Sequence, residues 1–231
     1  MAKPRTYLRG YSWDASVQRY RYAATGRYVA RRVIIEKMEL SQEQRERRAQ
    51  KSTQRFVDGN MAMSTWYFTQ RDMLKRQYLQ NAAIAAGGWE NLTARDFGHI
   101  GGVLNAEYRR LRNMARQIAE GEVSMAQALN RTAMYYGGAR AEYWKTKERH
   151  QPEAPPGMSY IQRRILNPAE HCLDCLKYYA QGWRPRGVLP APTVDCACGN
   201  NCRCDKIQAL VPRADLDLWI GTKRAAPGGV T

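Results

Sequence analysis

Apolar residues recur at helical spacing through the middle of the chain, and this periodicity predicts a helical body over residues 41–150. One face of a predicted helix carries Met63, Tyr67, Leu74, Tyr78 and Ala82. Capping sequences precede three predicted helices, at Ser41-x-x-Gln44, Thr93-x-x-Asp96 and Ser124-x-x-Gln127. Glycines at 87–88 and 121 predict where two of the helices end.

The flanking segments lack this periodicity. Residues 1–40 form a predicted arm, in which the run 28–35 favours a short β segment. The Pro-rich stretch 151–160 predicts a linker, which leads to a cysteine-rich module at 161–211 and a tail at 212–231. The predicted fold class is mainly α: a helical bundle with a basic N-terminal arm and a small zinc-ribbon-like C-terminal module.

The 231-residue chain has a formal net charge of +16, and much of the excess lies in the arm. Residues 1–35 contain eight basic side chains and one acidic side chain, Asp14. Aromatic residues lie between the arginines, and this mixture can contact phosphates by charge and stack on bases or on a protein surface. The arginines predicted to make such contacts are Arg5, Arg9, Arg19, Arg21, Arg27, Arg31 and Arg32. The alternative is a solvated extension whose tyrosines pack on the helical body.

A second basic row follows one helix face. Arg109, Arg112 and Arg116 recur at helical spacing opposite the apolar positions. The row predicts contact with DNA or with a partner protein, and the alternative is a solvated helix face. A mean hydropathy of −0.66 and the lack of any long apolar run predict no membrane-spanning segment.

All six cysteines fall between positions 172 and 204, as His171-Cys172-x-x-Cys175 followed by Cys196-x-Cys198-x-x-x-Cys202-x-Cys204. A Cys-x-x-Cys knuckle with a second cysteine group further along is typical of a tetrahedral zinc site. Cys196 is the predicted spare thiol, and His171 is a substitute ligand or the partner of a ligand. The predicted ligands are four of Cys172, Cys175, Cys198, Cys202 and Cys204. Disulfide bonds or free thiols are the alternative, which the polar, basic N-terminus without a secretion signal disfavours.

Zinc held by four thiolates has no open position for water or substrate, so the predicted role of the metal is structural. The sequence contains no Gly-rich phosphate loop, no His-Glu-x-x-His motif, no nucleophile elbow and no paired carboxylates in an apolar setting. A nuclease that assists DNA packaging would need an acidic metal site, which the sequence also lacks. We therefore expect no enzymatic activity.

Several short motifs follow one another in a specific order between residues 50 and 205. They are Ala86-Gly87-Gly88 with Leu92-Thr93-x-x-Asp96, then Ile118-x-x-Gly121-x-x-Ser124-x-x-Gln127-Ala128-Leu129-Asn130-Arg131-x-x-x-Tyr135, His171-Cys172-x-x-Cys175, Gly182-Trp183, Leu189-Pro190 and Cys198-Gly199-Asn200-Asn201-Cys202-Arg203-Cys204. With these motifs the chain resembles the phage head morphogenesis family, also called minor head or minor capsid proteins, which includes the Mu F-like proteins encoded beside the portal gene. The two cysteine motifs are the most specific part. Some members carry a histidine ahead of Asn-Cys-Arg-Cys, where this chain has Cys198 at a slightly different spacing.

The resemblance implies a virion structural protein that joins the head or neck during assembly in the bacterial cytoplasm, near the portal or the inner capsid surface. The expected partners are the portal or major capsid protein, further copies of the chain and packaged double-stranded DNA, with no membrane. An apolar patch in the tail either packs on the cysteine-rich module or docks into a neighbouring subunit. It consists of Leu216, Leu218, Trp219 and Ile220. The alternative function is that of a nucleic-acid-binding protein outside the virion, with a structural zinc module.

Overall fold

The computed structural model describes residues 10–14, 19–167, 169–192, 196–198, 202 and 204–224, with the backbone alone at 31–32. The chain divides into two units, Met1–Lys147 and Glu148–Thr231. The units have different architectures, since the first is helical and the second is built on a small sheet.

Four long helices make up most of the first unit. They are α1 (Arg31–Val57), α2 (Met63–Ala86), α3 (Ala94–Ala119) and α4 (Met125–Arg149), and the last residues of α4 belong to the second unit. These helices confirm the prediction of a mainly α protein. None of the helices in the described part of the chain combines the length and apolar character that a membrane crossing requires.

The apolar faces of the four helices enclose the core of the first unit. Leu74, Tyr78 and Ala82 of the predicted α2 face are buried, whereas Met63 at its N-terminal end is 48% exposed. The buried residues of α3 include Leu104, Leu111, Ala115 and Ile118, which recur at helical spacing. The buried residues of α2 and α3 therefore follow the helical periodicity, and the start of α2 is exposed.

Two helices begin at the predicted capping sequences. The Asp96 carboxylate accepts a hydrogen bond from the Thr93 backbone N–H at 2.9 Å, and the Thr93 hydroxyl accepts one from the Asp96 N–H at 3.3 Å. Ser124 and Gln127 make the equivalent pair before α4, at 2.9 and 3.3 Å. Because each pair satisfies N–H groups that the helix leaves open, these starts are set by local chemistry.

The start of α1 differs from the prediction. The run 28–35, predicted to be a short β segment, enters α1 after its third residue, and Ser41, predicted to open a helix, lies inside α1. Ile34 and Met38, one turn apart, are both buried. Their burial on one helix face outweighs the β preference of neighbouring branched residues. Ser41 instead accepts a hydrogen bond from Gln80 Nε2 of α2 at 3.1 Å.

The described part of the arm is a β-hairpin that packs on the helices. Strands β1 (Tyr11–Asp14) and β2 (Arg19–Tyr22) pair antiparallel, and the buried Tyr20 hydroxyl donates to a backbone carbonyl of α2 at 3.0 Å. As predicted, α2 ends at Gly87, whose φ of 86° is left-handed. A Cβ at this position would also overlap the Trp13 indole, so both backbone and packing require glycine. These contacts favour the alternative in which arm aromatics pack on the helical body.

The second unit contains a three-stranded antiparallel sheet and two short helices. Strand β3 (Met158–Ile165) lies between β4 (Arg184–Pro185) and β5 (Asp205–Pro212). The helices are α5 (Leu173–Ala180) and α6 (Leu216–Trp219). A small core forms on the sheet from Ile161, Trp183, Ala209 and Val211, with Ile207, Leu216 and Trp219 packed against it.

The predicted linker is shorter than the sequence suggests. Strand β3 begins at Met158, so the last three residues of the predicted segment 151–160 belong to the sheet. Met158 pairs with Pro212 of β5 and continues an unbroken antiparallel register. The ladder hydrogen bonds of this long strand pair extend the ordered unit into the segment after the prolines.

A buried hydrogen-bond network connects α1, α2 and α4. The Thr53 hydroxyl of α1 accepts from Trp66 Nε1 of α2 at 3.0 Å and lies 3.0 Å from Thr132 Oγ1 of α4. Gln70 Nε2 of α2 donates to the Ala49 carbonyl of α1 at 3.0 Å. Because a buried polar group left without a partner costs about 1–3 kcal/mol, this network favours one alignment of the three helices.

Replacing Thr53 by valine keeps the side-chain shape but removes the acceptor of the Trp66 indole. We expect the free energy of unfolding of the first unit to fall by roughly 1–3 kcal/mol, the cost of an unpaired buried donor. Urea denaturation followed by circular dichroism would measure the change. Thr65→Val, at an exposed position of α2, is the matched control. Equal stability of the two variants would contradict the role given to the network.

Candidate metal centre

All six cysteines lie in one cluster of the second unit. The first two belong to the start of α5, the next two to the loop after β4, and the last two to the segment that enters β5. In chain order they are Cys172, Cys175, Cys196, Cys198, Cys202 and Cys204. Three separate segments of the chain therefore meet at their thiols.

The first turn of α5 forms the predicted Cys-x-x-Cys knuckle. Cys172 immediately precedes the helix, with extended backbone angles, and Cys175 lies three residues later in the first turn. Their sulfurs are 3.6 Å apart. The helix N-terminus carries partial positive charge, which favours the thiolate form of cysteines placed there.

Asp174, between these two cysteines, holds the second pair in place. Its Oδ2 accepts a hydrogen bond of 2.8 Å from the backbone N–H of Ala197. Ala197 lies between Cys196 and Cys198 in the loop after β4. The hydrogen bond therefore attaches this loop, with both of its thiols, to α5. Asp174 cannot be distinguished as part of the site from the sequence, because an acidic residue in a first helical turn is common for helix stability alone.

The sulfur distances in this structure are longer than disulfide bonds and suit a metal ion. Cys198 Sγ lies 3.4 Å from Cys172 Sγ, 3.3 Å from Cys175 Sγ and 3.6 Å from Cys196 Sγ. A disulfide bond is about 2.05 Å long, whereas two sulfurs bound at about 2.3 Å to one tetrahedral zinc ion lie about 3.8 Å apart. All six cysteines are free thiols.

His171 joins the cluster from the position before the knuckle. Its Nδ1 lies 3.5 Å from Cys204 Sγ, and its Nε2 lies 2.8 Å from the carbonyl oxygen of Asn167. A carbonyl oxygen can only accept, so Nε2 carries the proton and Nδ1 keeps a lone pair beside the sulfur. Metal-binding histidines commonly donate their second ring N–H to a carbonyl in this way. The geometry therefore favours His171 as a ligand.

The donor atoms form two groups, each compact enough for one ion. In each group the donor atoms lie within 4.8 Å of one another. The first group consists of Cys172, Cys175, Cys196 and Cys198, and the second of His171, Cys175 and Cys204. Cys202 Sγ also lies 3.6 Å from Cys175 Sγ. This cluster of six cysteines and one histidine can hold a metal ion.

Burial and crowding give the thiols unequal acidity. Burial raises the pKa of Cys175 to about 12. Burial also opposes ionisation of Cys172, but hydrogen bonding with the backbone and with the thiols of Cys175 and Cys198 lowers its pKa to about 7. The adjacent Cys202 thiol, together with burial, raises the pKa of Cys204. Because neighbouring thiolates repel one another, these groups ionise together only around a cation.

Cys196, which its spacing predicts to be the spare thiol, lies among the donor atoms of the first group. Its sulfur belongs to the first group, 3.6 Å from Cys198 Sγ. The physical reason is the anchoring of Ala197 by Asp174, which brings both flanking thiols to α5. Spacing along the chain carries no information about this contact between two segments.

The described arginines of the arm are partly engaged within the hairpin. Arg21 donates to the Asp14 carboxylate at 3.0 Å and to the Tyr28 hydroxyl at 2.6 Å, and Arg19 lies 4.9 Å from the centre of the Tyr28 ring. Arg27 is exposed. Outside the described residues lie Arg5, Arg9 and the side chains of Arg31 and Arg32. Contact of the arm with nucleic acid or protein stays a prediction.

The second basic row lies on the surface of α3. Arg109, Arg112 and Arg116 are all exposed, as their helical spacing predicts. Arg116 pairs with the carboxylates of Glu120 at 2.5 Å and Glu122 at 3.6 Å. Acidic neighbours therefore offset part of the charge of this row, and its contact with a partner also stays a prediction.

The apolar patch of the tail is largely part of the second unit. Leu216 and Trp219 pack against the sheet core, and the Trp219 and Trp183 rings meet edge to face with centres 6.3 Å apart. Ile220 pairs with Trp183 through its backbone. Only Leu218 of the four predicted docking residues is mostly exposed, at 62%. Packing explains Leu216 and Trp219, and docking of the patch into a neighbouring subunit stays a prediction.

Comparisons of the chain with protein-family models, with curated proteins and with solved structures find no match. The resemblance to phage head proteins therefore rests on its sequence motifs. The two most specific of these motifs meet in the thiol cluster, which is therefore the feature most relevant to function.

Asp174→Ala removes the anchor of the loop that carries two thiols without removing a thiol. We expect zinc affinity to fall roughly 10–100-fold, the usual cost of losing a group that orients metal ligands. Competition with a chromophoric chelator would measure the affinity. Asp217→Ala, at an exposed position of the same unit, should leave it unchanged. Equal affinities would show that the Asp174 hydrogen bond has no part in the centre.

Proposed function

We propose that the chain is a structural protein of a bacteriophage head whose second unit is held together by zinc. One observation carries the proposal: the Cys-x-x-Cys and Asn-Cys-Arg-Cys motifs, which make the chain resemble head morphogenesis proteins, contribute their thiols to a single cluster. Motifs that are separate in sequence and converge in space support a shared structural purpose.

Zinc is the proposed metal because of the donor set. Thiolates with an imidazole are soft to borderline ligands, and tetrahedral sites of sulfur and nitrogen are typical of zinc. The Sγ distances around Cys198, 3.3 to 3.6 Å, need only a small expansion to reach the about 3.8 Å of a zinc site. The ion would connect α5, the loop after β4 and the entrance to β5.

A structural metal ion suits the second unit because the hydrophobic core of this unit is small. Four buried residues form that core, and domains with so little apolar burial commonly depend on a metal or on disulfides. Binding free energy then becomes folding free energy. With protein groups at every coordination position the ion has a structural role, and we propose no enzymatic activity.

The proposed partners are the portal or major capsid protein, further copies of the chain, and packaged double-stranded DNA. The formal charge of +16 favours acidic surfaces of either kind. Exposed Arg27, Arg109 and Arg112, together with Leu218, offer surfaces for such contacts. The proposed location is the head or neck of the virion, after assembly in the host cytoplasm.

A nucleic-acid-binding protein outside the virion is the second candidate. The exposed arginine row on α3 favours it, because a row of guanidinium groups on one helix face can follow a phosphate backbone. This candidate requires DNA affinity that falls steeply with salt concentration.

Removal of the metal should unfold the second unit and leave the first intact, because only the second depends on the thiol cluster. We expect a strong chelator under reducing conditions to direct limited proteolysis to residues 148–224, and added Zn²⁺ to restore protection. Mass spectrometry would locate the cuts, and chelator saturated with Zn²⁺ is the control. Full protection of the chelated, reduced protein from proteolysis would contradict the proposed structural role of the metal.

The head proposal predicts that the chain is present in purified phage particles and remains there after high-salt washing. Quantitative mass spectrometry of heads, of proheads and of particles made without the gene would measure this. Loss or malformation of heads without the gene supports the proposal. Absence of the chain from every assembly stage would overturn it, and salt-sensitive DNA binding in the same test would favour the second candidate.

A further inference from the structure

We infer that the thiol cluster holds two metal ions that share the sulfur of Cys175. The inference rests on the proposed zinc site and increases the number of ions in that site from one to two. It accounts for all donors of the cluster, including the thiol that chain spacing marks as spare and the histidine beside the knuckle.

The number of donors matches two closed tetrahedral sites. Two separate four-coordinate ions require eight ligands, and one thiolate shared between them reduces the requirement to seven. The cluster provides seven, namely six thiols and one imidazole. A single tetrahedral ion would use only four of them.

Cys175 is the donor common to both groups. Its sulfur lies 3.6 Å from Cys172 Sγ and 3.3 Å from Cys198 Sγ in the first group, and 3.6 Å from Cys202 Sγ. Cys175 has 0% of its surface exposed. A fully buried sulfur with close sulfur neighbours from three segments has the position of a bridging ligand.

The first ion would have four thiolate ligands from the knuckle and the loop. They are Cys172, Cys175, Cys196 and Cys198. Because Asp174 anchors the loop between its two cysteines, these four sulfurs are brought together by one hydrogen bond and one helical turn.

The second ion would have three thiolates and one imidazole. Three of them, His171, Cys175 and Cys204, form the second group. The fourth is Cys202, whose sulfur lies 3.6 Å from Cys175 Sγ. Cys204 Sγ lies 3.5 Å from His171 Nδ1. The His171 ring is already oriented for this use, since its Nε2 donates to the Asn167 carbonyl and leaves Nδ1 for the metal.

The two sites would fasten different parts of the unit. The first attaches the loop after β4 to α5, and the second attaches the entrance of β5 to His171 and to Cys175 of α5. Because Cys175 belongs to both, loss of its thiol would disturb both attachments, whereas loss of a ligand found in one group would disturb one.

Native mass spectrometry of the full chain, reduced and reconstituted with Zn²⁺, tests the stoichiometry. We expect two zinc ions per chain that survive dialysis. One ion would overturn the shared centre and leave the single-zinc proposal standing, whereas none would overturn both. The head proposal is tested separately by particle composition, so the two failures are distinguishable.

The bridge itself is tested with ¹¹³Cd²⁺ in place of zinc. The NMR spectrum of the unaltered chain should show two resonances, each split by coupling to the other through the Cys175 sulfur. Two resonances without mutual splitting, or one resonance, would overturn the bridge. Cys196→Ser and His171→Ala change one group each, so each variant should retain one tightly held ion. Two retained ions in either variant would contradict the ligand assignment.

Discussion

The buried sulfur of Cys175 is the point on which the second unit depends. Three segments of the chain meet around it, from α5, from the loop after β4 and from the start of β5. The sheet between them has a core of four buried residues, which gives limited hydrophobic stabilisation. Ionised thiols in such contact repel, and a bound cation converts that repulsion into attraction. We therefore propose that folding and metal binding are coupled in this unit.

The first unit is stabilised by a hydrophobic core and by buried hydrogen bonds. Apolar faces of four long helices enclose its core, and the polar network around Thr53 and Trp66 favours one alignment of those helices. On this body the hairpin of the arm is held by the Tyr20 hydroxyl and by the fit of Trp13 against Gly87. The described part of the arm is thus a packed element, and it carries the exposed Arg27.

Short-range chemistry was the most predictable part of the structure. The Thr93–Asp96 and Ser124–Gln127 capping pairs and the stop at Gly87 act within a few residues, so their sequence patterns are sufficient. The start of α1 was not predictable, because the branched residues of 28–35 favour a strand locally and burial of Ile34 selects a helix. Asp174 was missed since its partner Ala197 is far along the chain.

By itself the sequence determined the mainly helical class, the basic charge and the chemical character of the centre, because composition and periodicity are properties of the chain alone. It also limited the metal donors to cysteines and His171. The tertiary structure decided which donors meet, that Cys196 joins them, that Cys175 is common to both groups, and that most of the tail patch is packed. These outcomes depend on distances between segments far apart in sequence, and only packing of the folded chain sets such distances.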